Sequence, residues 1–265
     1  LACKVISING QPDGHFPGRV SEPDKESLTD LTKVVKDTGA DLGIAHDGDA
    51  DRVVFVTEEG EVIRGDRIIA LLSREELKLS KEKPIVTTVD SSRVVDETVM
   101  KAGGKTIRTP VGDIQVALKM KETGAAFGGE AAGVFIFSEF HNAPEPFLTA
   151  CRILDLMAST RKTFGELIAE IPLYPLRKAK VKCENVKKGA AMLALAKSLP
   201  EAMEDTEEVI TVDGIGISLK AGWVLVRPSG TEPVIRITCE APSDKQVEKC
   251  LADAKAEVER VTGNI

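Results

Sequence analysis

Three short polar runs in this chain combine side chains that can do chemistry. The first is His46-Asp47-Gly48-Asp49-Ala50-Asp51-Arg52. Carboxylates at alternating positions between apolar segments repel one another, and burial raises that cost. A divalent cation relieves it, and oxygen-only ligation suits Mg²⁺. Gly48 and Ala50 allow a tight loop, and the guanidinium fork of Arg52 could meet a phosphate oxygen beside the cation. The plainer alternative is a solvated acidic turn. The spacing does not fit an EF-hand, a P-loop or a dinucleotide fingerprint, and His46 reads as structural.

Arg227-Pro228-Ser229-Gly230-Thr231-Glu232-Pro233 is the second run. Arg227 offers a planar donor fork, Ser229 and Thr231 offer hydroxyls, and Gly230 lets backbone amides converge. That inventory suits a phosphate or carboxylate; a simple Pro-Ser-Gly turn is the alternative. The third run, Gly128-Gly129-Glu130-Ala131-Ala132-Gly133, reads as a flexible loop. It could bring the Glu130 carboxylate to sugar hydroxyls, or merely connect a hairpin with one exposed acid. Thr109-Pro110-Val111-Gly112-Asp113 carries a weaker signal of the same kind. His141 shows no obvious acid-base partner, and Cys151 and Cys250 read as small core residues of amphipathic helices.

The elements that must position these runs follow from periodicity. CKVISI reads as a strand, Glu26 to Gly39 as a helix, and Ala40 to Ala45 as a strand entering the acidic loop. VVFV and EVI form a hairpin around TEEG, and a helix opens at Ile68. PIVTTV, KTIRT and AAF then alternate with helices at Val94–Met100 and VGDIQVALKMKE, before VFIF and the long helix EPFLTACRILDLMAST. This beta-alpha rhythm predicts a mostly parallel sheet covered by helices. IPLYPL reads as a linker. Beyond it, KAKVKC, one helix, four strands and a final helix suggest a smaller α+β unit. The expected fold is therefore α/β: layered α/β/α mixed-sheet domains, the first incomplete, plus a smaller C-terminal α+β domain. The expected boundaries are 1–79, 80–173 and 178–265.

Composition bounds the function. The chain has 265 residues, 42% of them apolar and 29% charged, so real cores can form. Its formal net charge is -7, which argues against nucleic-acid binding and against a basic face for anionic lipid. No apolar stretch reaches the length of a membrane span. Five scattered cysteines without a CxxC fit a reducing cytoplasm better than a disulfide framework or a zinc cluster.

Taken in order, these runs resemble the alpha-D-phosphohexomutase superfamily, the phosphoglucomutase and phosphomannomutase group. DGDADR resembles its metal-binding loop, GGEAAG its sugar-binding loop and RPSGTEP its distal phosphate-binding loop. QPDGHFPGR and TPVGD fit as well. The resemblance implies a mutase that moves phosphate between C1 and C6 of mannose or glucose phosphate, through a phosphoserine and an enzyme-bound hexose 1,6-bisphosphate. It implies Asp47, Asp49 and Asp51 as Mg²⁺ ligands and Arg52 facing the transferred phosphoryl group. Glu130 would bind sugar hydroxyls, and Arg227, Ser229, Gly230 and Thr231 would hold the non-reacting phosphate. Many relatives carry a serine and then a glycine-histidine pair where this chain has Ala132, Gly133 and Val134, and some carry histidine where it has Asp113. Those departures bear on substrate and on the acid-base group. They keep phosphoglucosamine mutase, or a non-catalytic phosphosugar-binding module, as alternatives. No run resembles the phosphoserine loop, and the chain opens on Leu1 without a methionine. It is therefore expected to be a fragment, inactive alone, whose partner is the missing N-terminal domain.

Overall fold

A computed structural model describes residues 2–264. In chain order, α1 (Thr29–Thr38) leads to β1 (Leu42–His46), β2 (Val53–Thr57), β3 (Val62–Ile63) and α2 (Gly65–Leu79). Next come β4 (Ile85–Thr88), α3 (Arg93–Lys101), β5 (Thr106–Thr109), α4 (Asp113–Thr123), β6 (Phe127–Glu130) and β7 (Val134–Phe137). Two helices follow, α5 (Pro146–Thr160) and α6 (Phe164–Ala169). The remainder is β8 (Leu176–Lys182), α7 (Lys188–Ala202), β9 (Thr206–Ile210), β10 (Ile215–Leu219), β11 (Gly222–Pro228), β12 (Val234–Glu240) and α8 (Asp244–Gly263). The chain forms two compact units, one of Leu1–Thr87, Val94–Ile107 and Gly112–Pro172, the other of Thr88–Arg93, Arg108–Val111 and Leu173–Ile265.

The first unit holds two sheets. One has the order β1-β2-β3 and is antiparallel throughout, with β2 and β3 forming the expected hairpin and β1 pairing with β2 across the acidic loop. The short acidic and TEEG connections account for this, because parallel neighbours need a long crossover and antiparallel ones do not. The other sheet runs β5-β4-β6-β7, with β4 and β6 parallel and β6 and β7 antiparallel. Ile68, Ile69 and Leu71 of α2 are sealed in the core with Phe55, Ile85, Phe127 and Phe137. Each such side chain contributes roughly 1.5–3 kcal/mol by leaving water.

Several boundaries differ from the sequence reading. CKVISI forms no strand: Val5 and Ile6 are 80% and 48% exposed, and apolar alternation cannot hold a strand without a neighbour to take its hydrogen bonds. The helix expected at Ile68 opens at Gly65 and runs through Leu79. Cys151 is exposed, whereas Cys250 is buried.

The second unit contains one five-stranded antiparallel sheet, β8-β12-β11-β10-β9. Val224 and Val226 of β11 and Ile235 and Ile237 of β12 alternate inward, as a half-buried sheet requires. They pack with Leu195 and Leu199 of α7 and with Val247, Ala254 and Val258 of α8. Ser243 caps α8 by accepting the Gln246 N–H. The α+β reading of this segment matches that arrangement.

Candidate functional site

The acidic loop leaves β1 and returns as β2, and Asp47 organises it. Its Oδ1 accepts the N–H groups of Asp51 and Arg52, both at 3.1 Å, and its Oδ2 accepts Arg52 Nε at 2.8 Å. Ala50 sits in the left-handed region at φ +56°, which lets the loop fold back within so few residues. Asp47 is buried, Asp51 half-buried and Asp49 exposed, and one oxygen from each lies within 4.8 Å of the others. Ligand oxygens around a Mg²⁺ bound at about 2.1 Å stand on the order of 3–4 Å apart, so modest side-chain rotation brings the three into range.

Two further observations fit a cation. Asp51 Oδ1 is buried without a hydrogen-bond partner. Burial first, and then the adjacent Asp47 charge, raise the Asp51 carboxyl above its ordinary value. Burial also pushes on Asp47, but the Arg52 N–H and guanidinium outweigh it and hold that carboxyl low. The donor set is all oxygen and net negative, so these residues suit a hard divalent ion.

Arg52 is more engaged than its sequence context suggests. Besides Asp47, its Nη1 donates to Glu22 Oε1 at 2.6 Å, and Asp51 Oδ1 stands 3.5 Å from its Nε. Glu22 lies 30 residues away in the Pro-rich N-terminal loop, and nothing in its local sequence marks it. His46 packs against Phe147 with ring centroids 4.7 Å apart and the rings tilted at 37°.

Glu130 is not on a flexible loop. Gly128, Gly129 and Glu130 are the last residues of β6, and only Ala131 to Gly133 turn the chain into β7. The glycines are there for contact: a Cβ on Gly128 would lie 2.6 Å from Met120 Sδ, and one on Gly129 would lie 3.0 Å from Ile69 Cγ1. The turn itself is wedged. Val53 N–H donates to the Gly133 carbonyl, and a Cβ on Gly65 would come within 2.4 Å of the Ala131 carbonyl oxygen. The Glu130 end of β6 is thus fastened both to the start of β2, one residue beyond Arg52, and to the start of α2. Val134 is buried in the core with Val116 and Ile136. His141 has a partner after all: its Nδ1 accepts the Ala143 N–H, so Nε2 carries the hydrogen and donates to Glu145 Oε1 at 2.7 Å.

In the second unit, β11 and β12 present the remaining candidates. Arg227 is paired across the strands with Arg236, and its guanidinium meets Asp213 Oδ2 at 2.9 Å. Ser229 is buried, its hydroxyl accepting the Glu232 N–H at 3.1 Å. Gly230 and Thr231 are exposed at the tip. A Cβ on Gly230 would meet nothing within 4 Å, so the backbone alone does not demand glycine there. Lys188, whose local sequence marks only the start of a helix, is buried at the head of α7. Its Nζ donates to the carbonyls of Ser229 at 2.6 Å and Glu232 at 2.5 Å. The structure thus groups Asp47, Asp49, Asp51 and Arg52, fastens Glu130 beside them in the first unit, and groups Arg227, Ser229, Gly230 and Thr231 in the second.

Comparison with known proteins gives consistent matches. Family models described as phosphoglucomutase/phosphomannomutase match in order: alpha/beta/alpha domain II over residues 1–60, alpha/beta/alpha domain III over 64–174, and the C-terminal domain over 179–257. A probable phosphoglucosamine mutase of Methanopyrus kandleri is 47% identical over 94% of this chain and 54% of its own length. A phosphoglucomutase/phosphomannomutase of Thermococcus kodakarensis is 41% identical over 95% of this chain and 54% of its own. A crystal structure of a phosphoglucomutase/phosphomannomutase family protein from Burkholderia thailandensis superposes with a TM-score of 0.84 at 29% identity, covering 94% of this chain and 53% of that one. The chain thus spans about half the length of the relatives it matches.

Proposed function

The chain belongs to the alpha-D-phosphohexomutase superfamily, and from that premise we propose that it supplies the metal, sugar and phosphate loops of an enzyme interconverting hexose 1-phosphates and hexose 6-phosphates. The observation that carries the proposal is the Asp47, Asp49 and Asp51 constellation, with ligand oxygens mutually within 4.8 Å and the Arg52 guanidinium built into the same loop. In this reading residues 1–79, 80–173 and 178–265 carry those three loops in turn. The serine that accepts and returns the phosphoryl group comes from a part of the enzyme outside these residues, and the 265-residue chain alone gives no turnover.

Each loop has a defined task. Asp47, Asp49 and Asp51 hold Mg²⁺, which when bound neutralises charge at the phosphoryl group being transferred. Arg52 hydrogen-bonds that group's oxygens, exchanging Glu22 for the stronger multidentate acceptor. Glu130 accepts hydrogen bonds from sugar hydroxyls. Arg227, with the Ser229 and Thr231 hydroxyls and the backbone at Gly230, grips the phosphate that does not react. Sugar bisphosphate is the intermediate that must turn around between the two half-reactions. A fixed cradle for one phosphate and exclusion of water favour transfer over hydrolysis.

Glucosamine phosphate is the favoured substrate over the phosphates of mannose or glucose, because the 47% identical relative bears the name of a phosphoglucosamine mutase. Isothermal titration of the chain with glucosamine, glucose and mannose 6-phosphates, with and without Mg²⁺, tests the reading. Glucosamine 6-phosphate should bind most tightly. Absence of binding by all three would overturn the phosphosugar assignment.

A further inference from the structure

Asp213 lies in the Asp-Gly turn between β9 and β10, outside every run that the sequence marks for chemistry. Its Oδ2 is shared by two donors: the Arg227 guanidinium at 2.9 Å and the backbone N–H of Val111 at 3.2 Å. Val111 belongs to the Thr-Pro-Val-Gly turn that leads into α4. That turn is itself fixed, since Val89 N–H donates to the Thr109 carbonyl, and Arg108 Nη1 donates to the carbonyls of Thr88 at 3.0 Å and Ser91 at 2.9 Å.

The turn carrying Asp213 is pressed against Arg227. Gly214 has φ +87°, and a Cβ there would lie 2.4 Å from the Val226 carbonyl oxygen and 2.8 Å from Arg227 Cβ. Asp213 therefore has little freedom to withdraw. Arg227 Nε is buried with no hydrogen-bond partner, so the guanidinium is held firmly at one end and short of acceptors at the other. Buried donors are rarely left unserved in native proteins, and an anion arriving at the fork would supply the acceptor.

We infer that Asp213 is a positioning residue for phosphate capture: it presets the Arg227 guanidinium and, through the shared oxygen, couples its occupancy to the Val111 turn. The inference rests on the phosphate-binding role proposed above for Arg227. A preset fork loses less side-chain entropy on binding than a free arginine. The shared carboxylate oxygen makes the two donors compete, so drawing the guanidinium toward a phosphate changes the hydrogen bond left to Val111.

NMR titration of the 265-residue chain with glucosamine 6-phosphate tests this. In the wild type the Val111 amide resonance moves along the binding curve. Asp213→Ala binds about tenfold more weakly, the scale of one charge-assisted hydrogen bond, and its Val111 resonance no longer follows the ligand. Asp213→Asn, which keeps an acceptor oxygen, recovers most of the affinity, which general loss of structure would not do. Asp213→Ala binding within about twofold of wild type, well short of the tenfold scale, would overturn the inference. So would Asp213→Asn no better than alanine, or a Val111 resonance indifferent to ligand in the wild type. Arg227→Ala separates the two levels. If it binds like wild type, the phosphate-loop reading falls as well; if it alone weakens binding, only the role of Asp213 falls.

Discussion

Val53 donates its backbone N–H to the carbonyl of Gly133 across 3.0 Å. That bond joins the residue following Arg52 to the turn following Glu130, so two runs far apart in the chain share one backbone contact. The separation between the acidic loop and the Glu130 end of β6 is therefore set by main chain.

The contact leaves no room for a side chain. Gly133 has φ +102°, and a Cβ there would stand 2.7 Å from the Val53 carbonyl oxygen. Gly133→Ala should destabilise the chain by about 2–3 kcal/mol, through backbone strain and the loss of this close approach. Urea unfolding measures it; a change under about 0.5 kcal/mol, the range of neutral surface substitutions, would show that the turn is looser than described.

Removing charge from the acidic loop should separate stability from metal binding. Asp51→Asn removes a partly buried charge that Asp47 repels and should leave the metal-free protein as stable as wild type. Saturating Mg²⁺ raises the wild-type melting temperature, with about 2.7 kcal/mol of stabilisation at roughly a hundredfold excess over Kd. Asp49→Asn and Asp51→Asn should each lose most of that rise. Equal Mg²⁺ shifts in all three proteins would remove the aspartates from the metal site.

Glu76 in α2 gives a pH signature. Burial raises its carboxyl above the ordinary value, with Arg152 opposing. A raised folded-state value means that the native protein holds its proton longer than the unfolded chain does. Stability from this group is complete below the unfolded value and is lost as pH rises through the folded one. At neutral pH the buried charge is a cost, so Glu76→Gln should stabilise by about 1 kcal/mol, and the gain should fade on acidification. Melting curves from about pH 4 to pH 8, spanning the carboxylate range, would show it; a gain independent of pH would assign it to packing.

Lys188 should matter twice. Lys188→Met leaves the Ser229 and Glu232 carbonyls without the ammonium that now serves both. A loss of about 1–3 kcal/mol is expected for the unpaired groups, along with weaker hexose phosphate binding. Arg227→Ala should weaken binding with little change in melting. Thermal scans and titrations on both variants distinguish support of the loop from contact with ligand, and identical behaviour of the two would refute the division.

The elements legible in the sequence are those built from local spacing. The long helix α5, the α8 helix and the inward alternation of β11 and β12 follow from periodicity alone. The acidic loop is legible because Asp47, Asp49 and Asp51 alternate between apolar strands, a pattern that is costly unless a cation offsets the charge. Gly128 and Gly129 mislead because glycine pairs usually mark loops; here they let Met120 and Ile69 pack directly on a strand. CKVISI misleads because a strand is defined by its neighbour. Glu22 and Lys188 are invisible because their partners lie 30 and 41 to 44 residues away, and Asp213 because one of the two donors sharing its oxygen lies 102 residues away. Sequence spacing carries no information about contacts of that range.

The pairing of β8 with β12 has a bearing on how the chain is made. Leu176 lies opposite Glu240 and Lys182 opposite Val234, so the first strand of this sheet takes its neighbour from the last. On the ribosome β8 emerges early and must stay unpaired until β12 follows, and non-local pairing of this kind folds slowly. Arg177, Lys178, Lys180 and Lys182 crowd this one strand. Their charges suit a segment that has to remain unaggregated while it waits, since lysine-rich strands are poor templates for stray pairing.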